Sequence, residues 1–220
     1  MVNASRIRPI SVGIDESGRG CVIGPMVVAI VAADESDRRW FWKHRVRDSK
    51  LVPPHERDAL AERIKERCWF ELRIADAPTI DEAVRNRSRN LTGLELEMMA
   101  ELLREFQDEH PDRAALALVD APSVNPQGFL EKLYDASGWE SMEQLVAKHR
   151  ADKTDRTVAA ASILAKAERE RLIARLKKEL GIDFGCGYTH DEATRTFVAS
   201  CPAHAPYVRW SWSTTRIRSS

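Results

Sequence analysis

The sequence predicts an α/β fold. Three observations carry that prediction. Short β-rich runs alternate with longer helical ones along the whole chain. The longest apolar run, Met26 to Ala33, contains Met26–Val31, which reads as a central strand buried on both faces. No internal repeat or low-complexity linker breaks the alternation. At 220 residues the chain is long enough to bury roughly 70% of its unfolded surface without a disulfide or metal staple.

Each element follows from local pattern. Ile10–Ile14 is β-rich and runs straight into Asp15-Glu16-Ser17-Gly18-Arg19-Gly20; Met26–Val31 is the second strand. Asp34 to Lys50 is densely charged and is expected to be loop with one edge element. Pro53-Pro54 opens a helix over 55–67, since proline is tolerated in a first turn. Cys68 to Ile74 alternates apolar with polar residues and reads as a third strand. A short helix follows over 80–87, then a longer one from Thr92 to about His110, where Leu94, Met98, Leu102 and Phe106 repeat at i, i+4. Ala114 to Val119 is a buried strand ending at Asp120, 127–134 a helix, and 145–149 a strand ending near Asp152. The clearest helix is 155–180, with Ala161, Ala165, Leu172, Leu176 and Leu180 on one face and Gly181 as its stop. A Gly185-Cys-Gly-Tyr188 loop, a short helix over 192–200 and a Trp-rich basic tail complete the chain. The expected division is a main unit over 1–180 and a small lobe over 181–220.

Charge and composition exclude several classes. Thirty-four basic side chains balance thirty-four acidic ones, so the chain is not a generic polycationic nucleic-acid binder, and any such site must be a local patch. The longest apolar run is too short to cross a bilayer, and the first residues lack the apolar core of a secretion signal. The four cysteines are scattered with no C-x-x-C pair, so reduced thiols and a cytoplasmic location are expected.

The chemistry is carried by acidic residues at one kind of position. Asp15 and Asp120 end strands, and Asp152 follows a strand and precedes a helix. In open α/β sheets the carboxyl ends of strands converge on functional sites. Carboxylates gathered there raise one another's pKa unless cations neutralise them, and hard ions such as Mg²⁺ or Mn²⁺ suit oxygen donors. A single aspartate at a strand end is ordinary turn chemistry; three in the same setting favour a metal site. Glu16 is a weaker direct ligand than Asp15, because successive side chains of a continuing strand point to opposite faces. Gly18-Arg19-Gly20 allows a tight turn and close backbone approach to a ligand. It is neither a Walker loop nor a dinucleotide fingerprint, since no Gly-Lys-Ser/Thr follows and Gly24 falls one residue late.

Taken together these segments resemble ribonuclease HII, the type 2 ribonuclease H family. The resemblance lies in Gly13-Ile-Asp15-Glu16-Ser-Gly18-Arg19-Gly20 with Ile23-Gly-Pro-Met-Val-Val-Ala, then Asp48-Ser-Lys50-Leu, Leu118-Val-Asp120, Lys148-His-Arg-Ala-Asp152 leading into Ala159-Ala-Ala-Ser162-Ile-Leu-Ala-Lys166, and finally Gly185-Cys-Gly-Tyr188 and Val208-Arg-Trp-Ser-Trp. It spans nearly the whole chain, and the last third is most like archaeal members. Ser17 stands where alanine is commoner, Cys21 where proline is usual, and Ala121-Pro122 where glycine or serine-alanine is usual; none is an acidic position.

The resemblance implies an RNase H-like mixed sheet flanked by helices, with a small helical C-terminal part. It implies four acidic metal-site residues, Asp15, Glu16, Asp120 and Asp152, and substrate contacts from Gly18, Arg19, Gly20, Lys50 and a junction-sensing Tyr188. The implied activity is hydrolysis of RNA in RNA–DNA hybrids, including cleavage 5′ of single ribonucleotides embedded in duplex DNA, with two Mg²⁺ or Mn²⁺ ions and 5′-phosphate and 3′-hydroxyl products. Lys148, Arg150, Lys153, Arg156 and Lys166 are expected to grip phosphates as a group. His149, His190 and His204 are not needed by a metal site and read as surface or packing residues. Trp210 and Trp212 read as core packing from one face of a strand-like tail. The tail lacks the glutamine-plus-paired-aromatics motif that docks a sliding clamp, and a monomer is expected. A non-catalytic hybrid-binding subunit would have lost an acidic residue, and all four are present; a phosphatase would have no use for the tyrosine loop.

Overall fold

The computed structural model describes residues 10–47, 49–86, 88–113, 115–202 and 204–212. Asp48 and Ala114, and the tail beyond Trp212, therefore lie outside the described residues. Strands β1 (Ile10–Ser17) and β2 (Met26–Ala33) form an antiparallel pair running from Ser11 opposite Ala33 to Ser17 opposite Val27. β2 is buried at every position, as its unbroken apolar sequence requires. On its far side it pairs antiparallel with β3 (Trp69–Ala75), the edge strand. On the other side of β1 lie β4 (Ala115–Asp120) and β5 (Leu145–Lys148), both parallel, giving the order β3-β2-β1-β4-β5.

Helices cover both faces of this mixed sheet. One face carries α3 (Ala77–Arg85), α4 (Asn90–Glu109) and α5 (Pro126–Ser137); there Val12, Ile14 and Val28 pack with Met98, Leu102 and Phe106. The other carries α1 (Glu35–Lys43), α2 (Pro54–Lys65) and α6 (Arg156–Leu180); there Val27, Ala29 and Val31 meet Phe41, Ile64, Ile163 and Leu164. The expected α/β class, with a mixed sheet flanked by helices, is what the chain adopts. No described helix is long and apolar enough to cross a membrane.

α6 lies unusually close to β1. A Cβ on Gly13 would fall 2.4 Å from the backbone of Thr157 and Val158. The Ser11 hydroxyl hydrogen-bonds that of Thr157 at 2.9 Å. Asp155 caps α6 through the amides of Thr157 and Val158, and Gly181, at φ +66°, ends it in the left-handed conformation glycine adopts without penalty. A third, smaller core forms where the far end of α6 meets α7 (Glu192–Ser200): Val22, Ile23, Ile173, Phe184, Phe197 and Val208 are buried together.

Three expectations need correction. Among the described residues, 34–47 and 49–50 contain no edge element: Asp34 and Asp37 form a reciprocal capping box that starts α1, which buries Phe41. Its apolar stripe is too brief to stand out among charges, so the cap was the readable signal. Strand β1 does not end at Asp15 but continues through Ser17. Trp210 and Trp212 do not share a face: Trp210 packs into the small third core and Trp212 against the α4 side of the sheet. The four cysteines are free thiols.

Candidate active site

Parallel pairing of β1 with β4 brings Ile14 opposite Val119, so the next residues, Asp15 and Asp120, lie side by side. Asp152 joins them from a single 3₁₀ turn, Ala151–Lys153, between β5 and α6. One carboxylate oxygen from each lies within 4.8 Å of the others. Asp15 and Asp152 are buried, and Asp120 is half-buried at the mouth. The backbone amide of Arg150, a residue in the left-handed conformation, donates to Asp120 Oδ1 at 2.8 Å. The Glu16 amide donates to Asp15 Oδ1 at 2.7 Å. Ser162 of α6 hydrogen-bonds the Asp15 side chain and is itself held by Ser49 at 3.0 Å.

Because β1 continues past Asp15, Glu16 points the other way, toward α4. It stands outside the three-aspartate cluster but within electrostatic reach of Asp120 and of Glu95 on α4. Its Oε2 is buried without a hydrogen-bond partner. Burial, Glu16 and Asp120, in that order, push the Asp15 carboxyl well above its usual range. Burial and then Asp152 raise Asp120, while the amides of Arg150 and Ala151 and the charge of Lys50 pull it back. Burial, Glu95 and Asp120 lift Glu16 to about 7. Such mutually repelling oxygen donors, one of them unsatisfied, fit a hard divalent cation.

Gly18, Arg19 and Gly20 follow directly. Gly18 has φ +89°, and a Cβ there would meet the Arg169 side chain at 2.4 Å. Gly20 is exposed, and a Cβ on it would touch only the Tyr188 ring, at 4.0 Å. The turn and the tyrosine loop thus adjoin. Arg19 is tied down by Glu95 at 2.9 Å and by Thr92 at 3.1 Å. Burial nevertheless outweighs that ion pair and raises Glu95 to about 7. Buried Arg209 donates to the carbonyls of Arg19 (2.8 Å) and Gly24 (3.0 Å). Tyr188 hydrogen-bonds the Cys21 thiol. Lys50, in a 3₁₀ turn, is exposed and close enough to act on Asp120.

Of the basic group, Lys148, Arg150 and Lys153 are exposed. Arg156 is committed to the Val46 carbonyl at 2.8 Å, and burial of Lys166 lowers its pKa. His149 hydrogen-bonds the Ala121 carbonyl, and His190 stacks on Tyr188 at 5.5 Å, so neither enters the acidic cluster. Sequence reasoning missed Glu95, Arg169, Arg209 and Ser162. Glu95 and Arg169 left a signal, each being a charge on the apolar face of its helix, beside Leu94 and one turn after Ala165.

A pH dependence follows. In the unfolded chain Glu16 and Glu95 titrate near an ordinary 4.5, and in the folded one near 7. The folded state binds these protons more tightly, so their contribution is lost as pH rises through the folded value. The melting temperature of metal-free protein should fall between about pH 4.5 and about pH 7 and then level off, and Mg²⁺ should restore it at the upper end by neutralising the cluster. Calorimetry showing a flat or rising trend without metal would refute this.

A mixed sheet ending in an acidic cluster, clasped by a long helix, defines a metal-dependent nuclease of the RNase H class. Comparison with known proteins is specific: a sequence profile of Ribonuclease HII matches residues 12–215. The chain belongs to the ribonuclease HII family. It is 39% identical to Ribonuclease HII of Archaeoglobus fulgidus over 205 residues, 92% of this chain and 93% of that protein. It is 38% identical to that of Pyrobaculum aerophilum over 202 residues, covering 92% and 88%. Among solved structures, the A. fulgidus enzyme in a PCNA:RNase HII complex superimposes with a TM-score of 0.81 at 36% identity, covering 96% of this chain and 97% of that one. Ribonuclease H2 of Pyrococcus horikoshii also gives 0.81, at 29% identity, covering 95% and 96%. An RNase HIII crystallised with Mn²⁺ gives 0.78 at 21% identity, a likeness of fold, covering 96% of this chain and 70% of that one.

Proposed function

We propose that this chain, a metal-dependent ribonuclease H, cuts 5′ of single ribonucleotides embedded in duplex DNA as well as within RNA–DNA hybrids, leaving 5′-phosphate and 3′-hydroxyl ends. The observation that carries this reading is the junction of three features at one edge: the aspartate cluster, the Gly18–Gly20 turn and Tyr188, whose ring lies 4.0 Å from a Cβ placed on Gly20. RNA differs from DNA at each sugar by one hydroxyl, and a glycine turn lets backbone groups reach it.

In this reading Asp15, Asp120 and Asp152 hold Mg²⁺ or Mn²⁺, and Glu16 supplies further charge from the α4 side. The ions, two in the active complex, would activate water and stabilise the leaving 3′ oxygen. Ser162 and the Arg150 amide fix the carboxylates. Lys50 meets a phosphate beside Asp120, and the Tyr188 ring packs on the sugar that follows. We read residues 1–180 as the catalytic unit and 181–220 as a C-terminal part, whose Phe184 and Phe197 are buried together with Ile23. We read the protein as a cytoplasmic monomer. Residues 213–220, Ser-Thr-Thr-Arg-Ile-Arg-Ser-Ser, contain no glutamine or aromatic, so we do not assign them the PCNA contact of the A. fulgidus relative.

The direct test is a labelled DNA duplex with one embedded ribonucleotide, with and without Mg²⁺. Cleavage 5′ of that ribonucleotide, only with metal, is expected; an intact duplex alongside cleaved uniform hybrid would restrict the activity to hybrids. Binding to the duplex should also weaken steeply with salt despite the zero net charge. Lys153→Ala should reduce the log–log salt slope by about one. A slope unchanged in that variant would place the phosphate contacts elsewhere.

A further inference from the structure

Arg169 is buried on α6, only 5% exposed. Its Nη2 donates to the carbonyls of Ile23 and Cys186, 3.4 Å each. Its guanidinium lies over the Tyr188 ring, 5.3 Å from the centroid. The glycines on both sides leave it room: a Cβ on Gly18 would fall 2.4 Å from its Nε, and one on Gly187 3.2 Å from Nη2. Nε has no hydrogen-bond partner. Desolvating a guanidinium is costly unless it is well paired. Here its partners are the Cys186 carbonyl and the Tyr188 ring of the tyrosine loop, and the Ile23 carbonyl just beyond the Gly18–Gly20 turn.

We propose that Arg169 is a positioning residue for ribonucleotide recognition, fixing the Tyr188 ring against the Gly18–Gly20 turn so that both meet the substrate as one unit. The inference rests on the reading of those two segments as the sugar-recognising pair. Arg209, the other buried guanidinium nearby, donates on the turn side, to the carbonyls of Arg19 and Gly24. Lysine cannot replace Arg169, because an ammonium lacks the planar fork that serves two carbonyls while lying flat on a ring.

The test compares wild type with Arg169→Lys on two substrates in Mg²⁺: a duplex with one embedded ribonucleotide and a uniform RNA–DNA hybrid. On the first, kcat/KM should fall by about tenfold or more, since small misplacements of recognising groups are costly. On the hybrid, where many registers offer a scissile sugar, the loss should be clearly smaller. Adding Arg169→Lys to Tyr188→Ala should cost little more than Tyr188→Ala alone, because the two act through each other. A general loss of stability would lower both substrates alike. Equal losses on both substrates, or fully additive effects, would overturn the inference while leaving the functional reading intact. Wild type that spares the single-ribonucleotide duplex would overturn both. Should Arg169→Lys fail to fold, the Tyr188→Ala protein carries the test by NMR: the Arg169 Nε–H and the Gly18 and Gly20 amides should all shift, and unmoved turn amides would overturn the proposal.

Discussion

Asp120→Asn should abolish cleavage of an RNA–DNA hybrid in Mg²⁺, lowering kcat by at least about 10³-fold, because a metal-ion contribution is worth several kcal/mol. The substitution is nearly isosteric. The asparagine side chain would keep an oxygen to accept the Arg150 amide, now at 2.8 Å from Asp120 Oδ1, so β4 should keep its end. What is lost is charge at the centre of the cluster. The same loss should raise the melting temperature in metal-free buffer. Burial and Asp152 hold the Asp120 carboxyl above its usual range, so its ionised form costs stability at neutral pH, and a neutral amide removes that cost. Turnover like wild type would remove Asp120 from the metal site.

The second large effect is expected at Tyr188, on the duplex with a single ribonucleotide. Tyr188→Ala should lose most activity there, and Tyr188→Phe much less. In the structure the phenol is engaged by the Cys21 thiol. Phenylalanine therefore forfeits one weak hydrogen bond, at most ~1 kcal/mol. Alanine forfeits the ring, and an aromatic platform under a nucleotide is worth about 1–3 kcal/mol. It also uncovers the Arg169 guanidinium. Equal activity of wild type and Tyr188→Ala on that duplex would show that the junction is sensed elsewhere.

Most of this architecture was legible because strong local signals agreed with the tertiary outcome. The apolar run of β2, the stripe of α4 and the glycine stop of α6 each mean one thing. The aspartates were legible as a set, because a site on the carboxyl-terminal side of a sheet draws acids from late strand positions and the turns beyond them, a recurring setting even when its members are far apart in sequence. The α1 helix was not: nine residues dense in charge carry too little periodicity, and only the Asp34–Asp37 cap betrays it. The supporting charges were harder still. Glu95 and Arg209 matter through what they touch across the fold, 76 and 190 residues from Arg19, and no local pattern records such a pairing.

The way β1 is enclosed also orders events during synthesis. Its parallel partner β4 lies about a hundred residues downstream, and the Ser11–Thr157 contact closes a separation of 146 residues. Contacts so distant are slow to form, since the entropy of closing each loop is lost before the contact returns anything. A ribosome-bound chain that has emerged through Asp120 has two of the three carboxylates but neither the turn bearing Asp152 nor the helix that seals β1. With Asp152 as a metal ligand, as proposed, the nascent polypeptide should stay catalytically silent until nearly all of the sheet and α6 are available. On that assignment hydrolytic competence and completion of the fold should arrive together.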